Sequence, residues 1–573
     1  MLSRRLFATL FILTLIAATA LRLPELARRP MHGDEAVHAA KLDTLLQTRR
    51  YVYDPHQYHG PTLYYFTLPV ARLLCANSIA ELDETALRIV PVLFSLLTLA
   101  LLPLIADGLG RTATLAAGVL LAVSPAMVFY SRYYIQESLL VFFTFAAIVA
   151  CWRWVRSESR RSRGAWVWAL LAGVAIGLAH ATKETCVIAF GCAAVAAAAS
   201  HGFSRMKHAQ PGAAVPQTAR GAIVPRIASG AAAAAPSPRI RVIGMAALAS
   251  ACAVATSALF MSGFFTNPGG PRDSVLAYAD YFRRSGGDEI HVHPWHFYLE
   301  LLGFWHERSG PYWSEGAILI FGVIGLWRAR IWRARIGQAS DSPEATHSEL
   351  KHAGRAASSA PDSRGDPRLV RCWAIYATLM LVTYSAIPYK TPWCALGFLH
   401  GFALLGGIGI APILQHVRPL VRGIGIVVFC AAAAHLAWQA QRAGYRYAAD
   451  PRNPYVYAHS VRGVVDLGAY VERLREIASF RDSGVVKVYA HDCWPLPWYL
   501  RRVPRVGHWE SPPTDADADV VIVWPDAWDA AQRGLRGEYH ESFSGIRPDV
   551  VAHVLVARRL YDEFAARLRE KPP

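Results

Sequence analysis

Charge is what this chain has least of. Asp, Glu, Lys and Arg make up 18% of its 573 residues against 53% hydrophobic ones, and the mean hydropathy is +0.23. A soluble domain of ordinary composition carries about 25% charged residues, so a water-soluble enzyme is excluded. A cysteine framework is missing too. The nine cysteines include no CxxC pair, and Cys151, Cys186, Cys192, Cys252, Cys372, Cys394 and Cys430 fall in or beside apolar runs, where small apolar filler is their plainest role. No charge recurs through the middle of those runs and no internal repeat is evident, which removes the usual marks of a transporter. The Gly-rich stretch GGIGIAPIL (406–414) is the nearest thing to a broken span.

What the chain does have is about eleven apolar stretches near the 17 to 25 residues that cross a bilayer. They lie near 6–23, 88–106, 113–130, 138–155, 166–182, 185–201, 241–263, 314–330, 372–388, 394–413 and 421–440. Residues 6–20 resemble a signal-peptide core ending at Ala18-Thr19-Ala20, but the spans that follow favour an uncleaved first helix. The net charge of +17 is topological in origin. Arg4 and Arg5, Arg111, the run Arg153 to Arg163, the 202–240 and 328–371 linkers, and Arg418 with Arg422 form one set of loops, cytoplasmic by the positive-inside rule. No nucleic-acid partner is needed to explain it.

The opposite set comprises 24–87, 131–137, 183–184, 264–313 and 389–393, and an odd number of crossings puts the tail from about residue 441 on that extracytoplasmic side. Segment 60–76 reads as an interfacial helix, because Pro61, Pro69 and Arg72 suit a span poorly. The linkers 202–240 and 337–368 show no periodicity and carry no chemistry. In the tail, VVKVYA (485–490), DVVIVW (519–524) and VVAHVLVA (550–557) read as strands, and 463–479 and 559–570 as helices. The fold expected is an α-helical polytopic membrane domain over 1–440 followed by a small soluble α/β domain over 441–573.

Four charged clusters end apolar stretches on the outer side. In HGDEAVHAAKLDTLL (32–46) the acids Asp34 and Glu35 open a short helix, where the helix dipole favours them as plain caps. The dense polar surroundings, His32, His38, Tyr58 and His59 among them, go beyond a cap and suggest a binding loop. YSRYYIQES (130–138) places Arg132 and Glu137 at membrane depth, where an unpaired ion costs about 2.5 to 3.5 kcal/mol. They either pair with each other or face the pocket of Asp34. HATKET (180–185) adds Lys183 and Glu184, which an ordinary outer turn would also carry. IPYKTPWC (387–394) sets Tyr389 and Lys390 between prolines; an aromatic belt explains the tyrosine, and the lysine suits a phosphate. His291, His293, His296 and His306 invite a zinc site, but Pro294 breaks their presentation and no metal is assigned.

The ordered set RPMHGDEAVHA, YDPHQYHGPTLYY, SRYYIQE, ATKE and PYKTPW, spread over about residues 20–440, resembles the GT-C type of membrane glycosyltransferase. The likeness is to its flippase-associated archaeal and bacterial branch, and more distantly to the protein mannosyltransferases and the aminoarabinose transferase of lipid A. NPYVYAHS (453–460) and PLPWYLR (495–501) are similar to that branch without an activity attached. The resemblance implies an inverting transfer from a polyprenyl-phosphate sugar to a glycan, lipid or protein acceptor at the outer face of the cell (inner) membrane. By position Asp34 is the catalytic base with Glu35 beside it; His32, His38, Tyr58, His59, Arg132, Glu137, Lys183, Glu184, Tyr389 and Lys390 bind substrate, the lysines at phosphate. Gln136 stands where many relatives carry the first acid of a diacid, so no cofactor is assigned and a divalent metal stays open. The alternatives are a lipid-linked sugar flippase and a non-catalytic scaffold.

Overall fold

The computed structural model describes residues 2–56, 59–159, 162–206, 238–284, 291–307, 309–339 and 365–570. Most of the 202–240 and 337–368 linkers, and Tyr58, lie outside them. Helices dominate, as they must where backbone amides have only one another to bond. Among the described residues, seven helices are long and apolar enough to cross a membrane: 4–22, 84–109, 137–158, 239–261, 367–386, 392–414 and 419–446. A bent pair, 111–123 with 125–131, makes an eighth, and shorter apolar helices cover 164–180, 186–200 and 316–329. Every apolar stretch read from the sequence is helical. GGIGIAPIL sits inside one helix, Leu396–Leu414, rather than at a break.

The 58° bend in the pair has a local cause. Pro125 lacks an N–H, so the helix restarts there with the Ser124 hydroxyl capping Met127 N. The break strands the carbonyls of Leu121 and Ala122 and the amide of Ala126. The buried Arg22 guanidinium takes both carbonyls, at 3.0 and 2.8 Å, and the Glu315 carboxylate accepts from Ala126 N at 2.7 Å. One guanidinium and one carboxyl group thus complete the backbone bonding of a bent span.

The segment read as interfacial is the helix Thr62–Leu73, with 12 residues. That is roughly 18 Å, well short of a hydrocarbon core of about 30 Å. Its start is docked on the 181–182 turn through Gly60 N to Thr182 O and Thr62 N to Ala181 O. A Cβ at Gly60 would lie 2.0 Å from the Ala181 carbonyl oxygen, so only glycine fits.

The tail holds a five-stranded sheet of β1 (Val486–Tyr489), β2 (Val506–Trp509), β3 (Val520–Val523), β4 (Tyr539–Arg547) and β5 (Val550–Ala557), in the order β2-β1-β3-β5-β4. β1 runs parallel to β2 and β3, and the other pairs are antiparallel. The apolar strands β1, β3 and β5 are the three read from sequence. β2 and β4 are edge strands with mixed, half-exposed residues, and for that reason carry no buried-strand signature. The sheet region leans on the loop before the 84–109 helix: Trp498 Nε1 donates to Glu84, and Arg501 donates to the carbonyls of Ile79 and Leu82.

Candidate active site

The helix Gly33–Thr48 starts with a capping box. His32 Nδ1 accepts from Asp34 N at 3.1 Å, and the Glu35 carboxylate accepts from His32 N at 2.9 Å. The two neighbouring acids then part company. Asp34 points outward, its side chain 47% exposed. Glu35 points into the protein and is fully buried, accepting from Arg88 Nε and Nη2 at 2.8 Å each, Arg29 Nη2 at 3.0 Å and Tyr134 N at 2.8 Å. Burial alone pushes its carboxyl up, but Arg29 and Arg88 overcome that and hold it well below the usual carboxylate range. A carboxylate with every acceptor position filled has none left for a substrate proton, so the catalytic assignment of Glu35 is corrected to a structural one.

Asp34 opens onto a cavity of about 630 Å³. The same helix face contributes His38 and Lys41, four and seven residues on. His59 lines it from the following loop, Gln136 and Glu137 from the start of the 137–158 helix, and Lys183 from the turn after 164–180. Tyr389, Thr391 and Trp393 form another wall, and Trp494 of the tail closes over Gly33. Five separate segments of the predicted outer loops therefore meet at one cavity.

At its waist, Glu137 and Lys183 form an ion pair, both largely buried. Of the two readings of Glu137, the pair with Arg132 is not formed, and Glu137 faces the cavity of Asp34. Arg132 donates to the carbonyls of Arg22 and Pro24 at 2.7 Å each and of Glu25 at 3.1 Å, stacks on Tyr445, and is not on the cavity wall. It ties down the chain leaving the first helix. Below the waist a recess of about 30 Å³ continues between helices, lined by Leu140, Val141, Ala189, Tyr376 and Met380 and sharing Glu137, Lys183 and Trp393 with the main cavity. The ion pair thus lies on the shared wall of the cavity and the recess.

The remaining expectations divide similarly. His38 bonds Tyr64 Oη through Nδ1 at 2.9 Å and meets His59 edge-on at 5.0 Å. Burial pushes His38 down to about 3 and His59 well below its ordinary value, so both are neutral imidazoles at the cavity. His32 caps its helix and does not line the cavity. Glu184 is buried behind the wall, accepting from Tyr53 Oη at 2.7 Å, with burial raising its pKa. Tyr389 is on the wall, but Lys390 is not: its Nζ donates to the carbonyls of His293 at 2.9 Å and Ile387 at 2.5 Å. The phosphate role given to Lys390 is therefore corrected to a clamp between two loops. Lys41 and Trp494 were not foreseen. The 34, 38, 41 spacing marks one helical face and signals Lys41; nothing local signals Trp494.

Among the described residues no group of three or more His, Cys, Asp or Glu is placed to hold a metal ion. Two of the four outer-loop histidines, His291 and His293, reach the Tyr457 hydroxyl, and the other two have separate partners. His291 meets Tyr457 Oη, His293 stacks on Phe297, His296 meets Glu300 and His306 stacks on Tyr312.

Neutral His38 gives a pH prediction. Below its ordinary value of 6.5 the unfolded chain takes up a proton that the folded chain refuses until about 3. Stability therefore falls as pH drops through that window, by at most about 1.4 kcal/mol per pH unit for this group. His38→Asn flattens the loss, read as a smaller drop in the thermal midpoint between pH 7 and pH 5.

Comparison with known proteins now decides the fold. ArnT from Cupriavidus metallidurans bound to undecaprenyl phosphate superposes with a TM-score of 0.56 over 96% of this chain and 98% of that one, at 13% identity. The protein has the GT-C fold of membrane glycosyltransferases. The oligosaccharyltransferase of Archaeoglobus fulgidus, tethered to an acceptor peptide, matches at a TM-score of 0.51 and 12% identity over 88% of this chain. The chain spans 64% of the length of that protein. A family model described as dolichyl-phosphate-mannose-protein mannosyltransferase matches residues 64–206, which run from the helix Thr62–Leu73 to the end of the helix that follows Lys183. No curated protein matches the sequence.

Proposed function

We propose that this GT-C protein transfers a sugar from a polyprenyl-phosphate donor to an acceptor hydroxyl at the extracytoplasmic face of the cell membrane. The observation that carries the reading is that the cavity of the exposed Asp34 carboxylate and a small recess between helices share the Glu137–Lys183 pair as a common wall. A lipid-linked donor has the same order of parts: an apolar tail, an anionic phosphate and a polar sugar. Asp34 takes the acceptor proton as the hydroxyl attacks the anomeric carbon from the side opposite the phosphate, which inverts that centre. The ammonium of Lys183, with Lys41 further out, stabilises the phosphate as it departs. His38 and His59 offer sugar hydroxyls hydrogen-bond partners without adding charge.

Orientation rests on the basic loops: the N-terminus is cytoplasmic and the cavity and tail are outside. The domain division at about residue 440 follows, with the tail contributing Trp494 to the site. A flippase reading gains nothing from the bent span, whose freed backbone groups are bonded to Arg22 and Glu315.

The test is to incubate the purified protein with a panel of polyprenyl-phosphate sugars and follow release of polyprenyl phosphate. Consumption of at least one donor supports transfer or its hydrolytic side reaction. Binding without consumption across the panel contradicts it. Within that assay, Lys183→Ala placed in a Glu137→Gln background, so that no acid is left unpaired, weakens donor binding by roughly 10- to 100-fold, the worth of a charge-assisted hydrogen bond.

A further inference from the structure

The tail enters the site at a second place, through the segment that leads from the last helix to the sheet. Asn453 and Tyr455 pin this segment from below. Asn453 Nδ2 donates to the Tyr447 carbonyl at 3.0 Å, and the buried Tyr455 ring packs against Phe129. Two residues on, Tyr457 reaches out between two walls of the cavity. Its carbonyl accepts from His32 Nε2 at 2.9 Å. Because His32 Nδ1 already accepts from Asp34 N, the ring proton sits on Nε2, and both nitrogens of this imidazole are used. On the other side the Tyr457 hydroxyl meets His291 Nδ1 at 2.6 Å and, at 3.5 Å, His293 Nε2. The His291 carbonyl accepts from Lys390 N at 2.9 Å, and the His293 carbonyl from Lys390 Nζ at 2.9 Å. Tyr389 and Thr391, which flank that lysine, are cavity wall. The Tyr457 ring also meets Trp393, a third wall residue, edge-on at 5.8 Å.

We propose that Tyr457 is a positioning residue, a strut whose carbonyl holds the Asp34 helix cap and whose hydroxyl holds the loops behind Tyr389, so that the tail sets the distance between these two walls. The proposal deepens the transfer reading and rests on it for its kinetic arm. It also accounts for the otherwise unexplained clamp made by Lys390, which completes the far end of the same chain of hydrogen bonds. A base and a donor held on opposite walls react only at the right separation, and a misplacement of about 1 Å costs on the order of 10²-fold in rate.

The variant that tests it is Tyr457→Phe. It keeps the ring against Trp393 and the carbonyl on His32, and Asn453 and Tyr455 still hold the segment. Two measurements on the full-length protein decide. Hydrogen exchange at the amides of His293 and Lys390 should quicken by about tenfold, the net worth of one hydrogen bond. Donor turnover should fall by about tenfold in kcat with donor KM within about twofold, since the hydroxyl touches no substrate. His291→Ala should reproduce both effects, add nothing to them in the double variant, and be largely rescued by His291→Asn. Unchanged exchange overturns the strut, and faster exchange with unchanged kcat shows a merely structural contact. A matching rise in KM also counts against positioning. If the wild-type protein turns over no donor, the transfer reading fails and exchange alone decides whether the strut exists.

Discussion

Asp34→Asn should lower donor turnover by about 10²- to 10⁴-fold, the range a positioned general base supplies, and leave the thermal midpoint almost unmoved. The asymmetry follows from geometry. The Asp34 side chain is half exposed at the cavity, and His32 Nδ1 lies 3.8 Å from its carboxylate. Helix capping does not depend on it, since His32 and Glu35 form the capping box. Asparagine keeps the size and polarity of the side chain but cannot accept the acceptor's proton. The measurement is release of polyprenyl phosphate by the two proteins at equal concentration, alongside thermal unfolding in detergent. Turnover within about threefold of the wild type would remove Asp34 from the chemistry.

Glu35→Ala should do the reverse and act on stability first. The Glu35 carboxylate is the shared anion between two buried guanidiniums, with two backbone amides completing its bonding. Arg88 also donates to the carbonyls of Leu26, Arg29 and Pro30, so this cluster fixes the chain that enters the Asp34 helix. Removing one partner from a buried ion pair costs about 3 to 5 kcal/mol, because the remaining charges stay in a medium that solvates them poorly. That is a large share of the roughly 5 to 15 kcal/mol that holds a domain folded. Glu35→Ala is therefore expected to show a sharply lower thermal midpoint and poor recovery from the membrane. Glu35→Gln keeps the shape but leaves two cations facing a neutral amide, and it should fall between. A Glu35→Ala protein with wild-type stability and no activity would instead make Glu35 the working acid.

These two variants mark where the sequence stops being legible. That an acidic pair after the first helix belongs to a site can be read from its polar, aromatic surroundings. Which acid faces the cavity cannot, because the answer is set by Arg88, more than fifty positions away, which turns Glu35 inward. The same holds for the lysines. Lys390 between prolines looks like a free cation until the His291–His293 segment is folded against it and takes its protons on backbone carbonyls. Lys41 is the opposite case: it shares a helical face with Asp34 and His38, a pattern present in the sequence and visible at a spacing of three to four residues.

The spans were the most legible part, since apolar length in a bilayer admits little besides helix. The bend at Ser124-Pro125 was hidden inside the run read as 113–130, because a proline within a membrane helix is tolerated when other groups complete the bonding, and those groups, Arg22 and Glu315, come from distant segments. In the tail, strands buried on both faces announced themselves as continuous apolar runs and edge strands did not. Trp494 reaches the cavity only because the sheet region docks on the loop near Glu84, a contact with no local sequence cue.

The central claim is spatial: the Asp34 cavity meets, at the Glu137–Lys183 pair, the recess between helices along which the donor's lipid enters. A polyprenyl-phosphate sugar carrying a photoreactive group near the phosphate end of its chain, crosslinked to the purified protein and mapped by mass spectrometry, tests it directly. The crosslinks should fall at Leu140 to Thr144 and Tyr376 to Met380, on either side of the recess below Lys183, and unlabelled donor should compete them away. Crosslinks confined to the outer faces of the first and last membrane helices, or insensitive to unlabelled donor, would contradict the account.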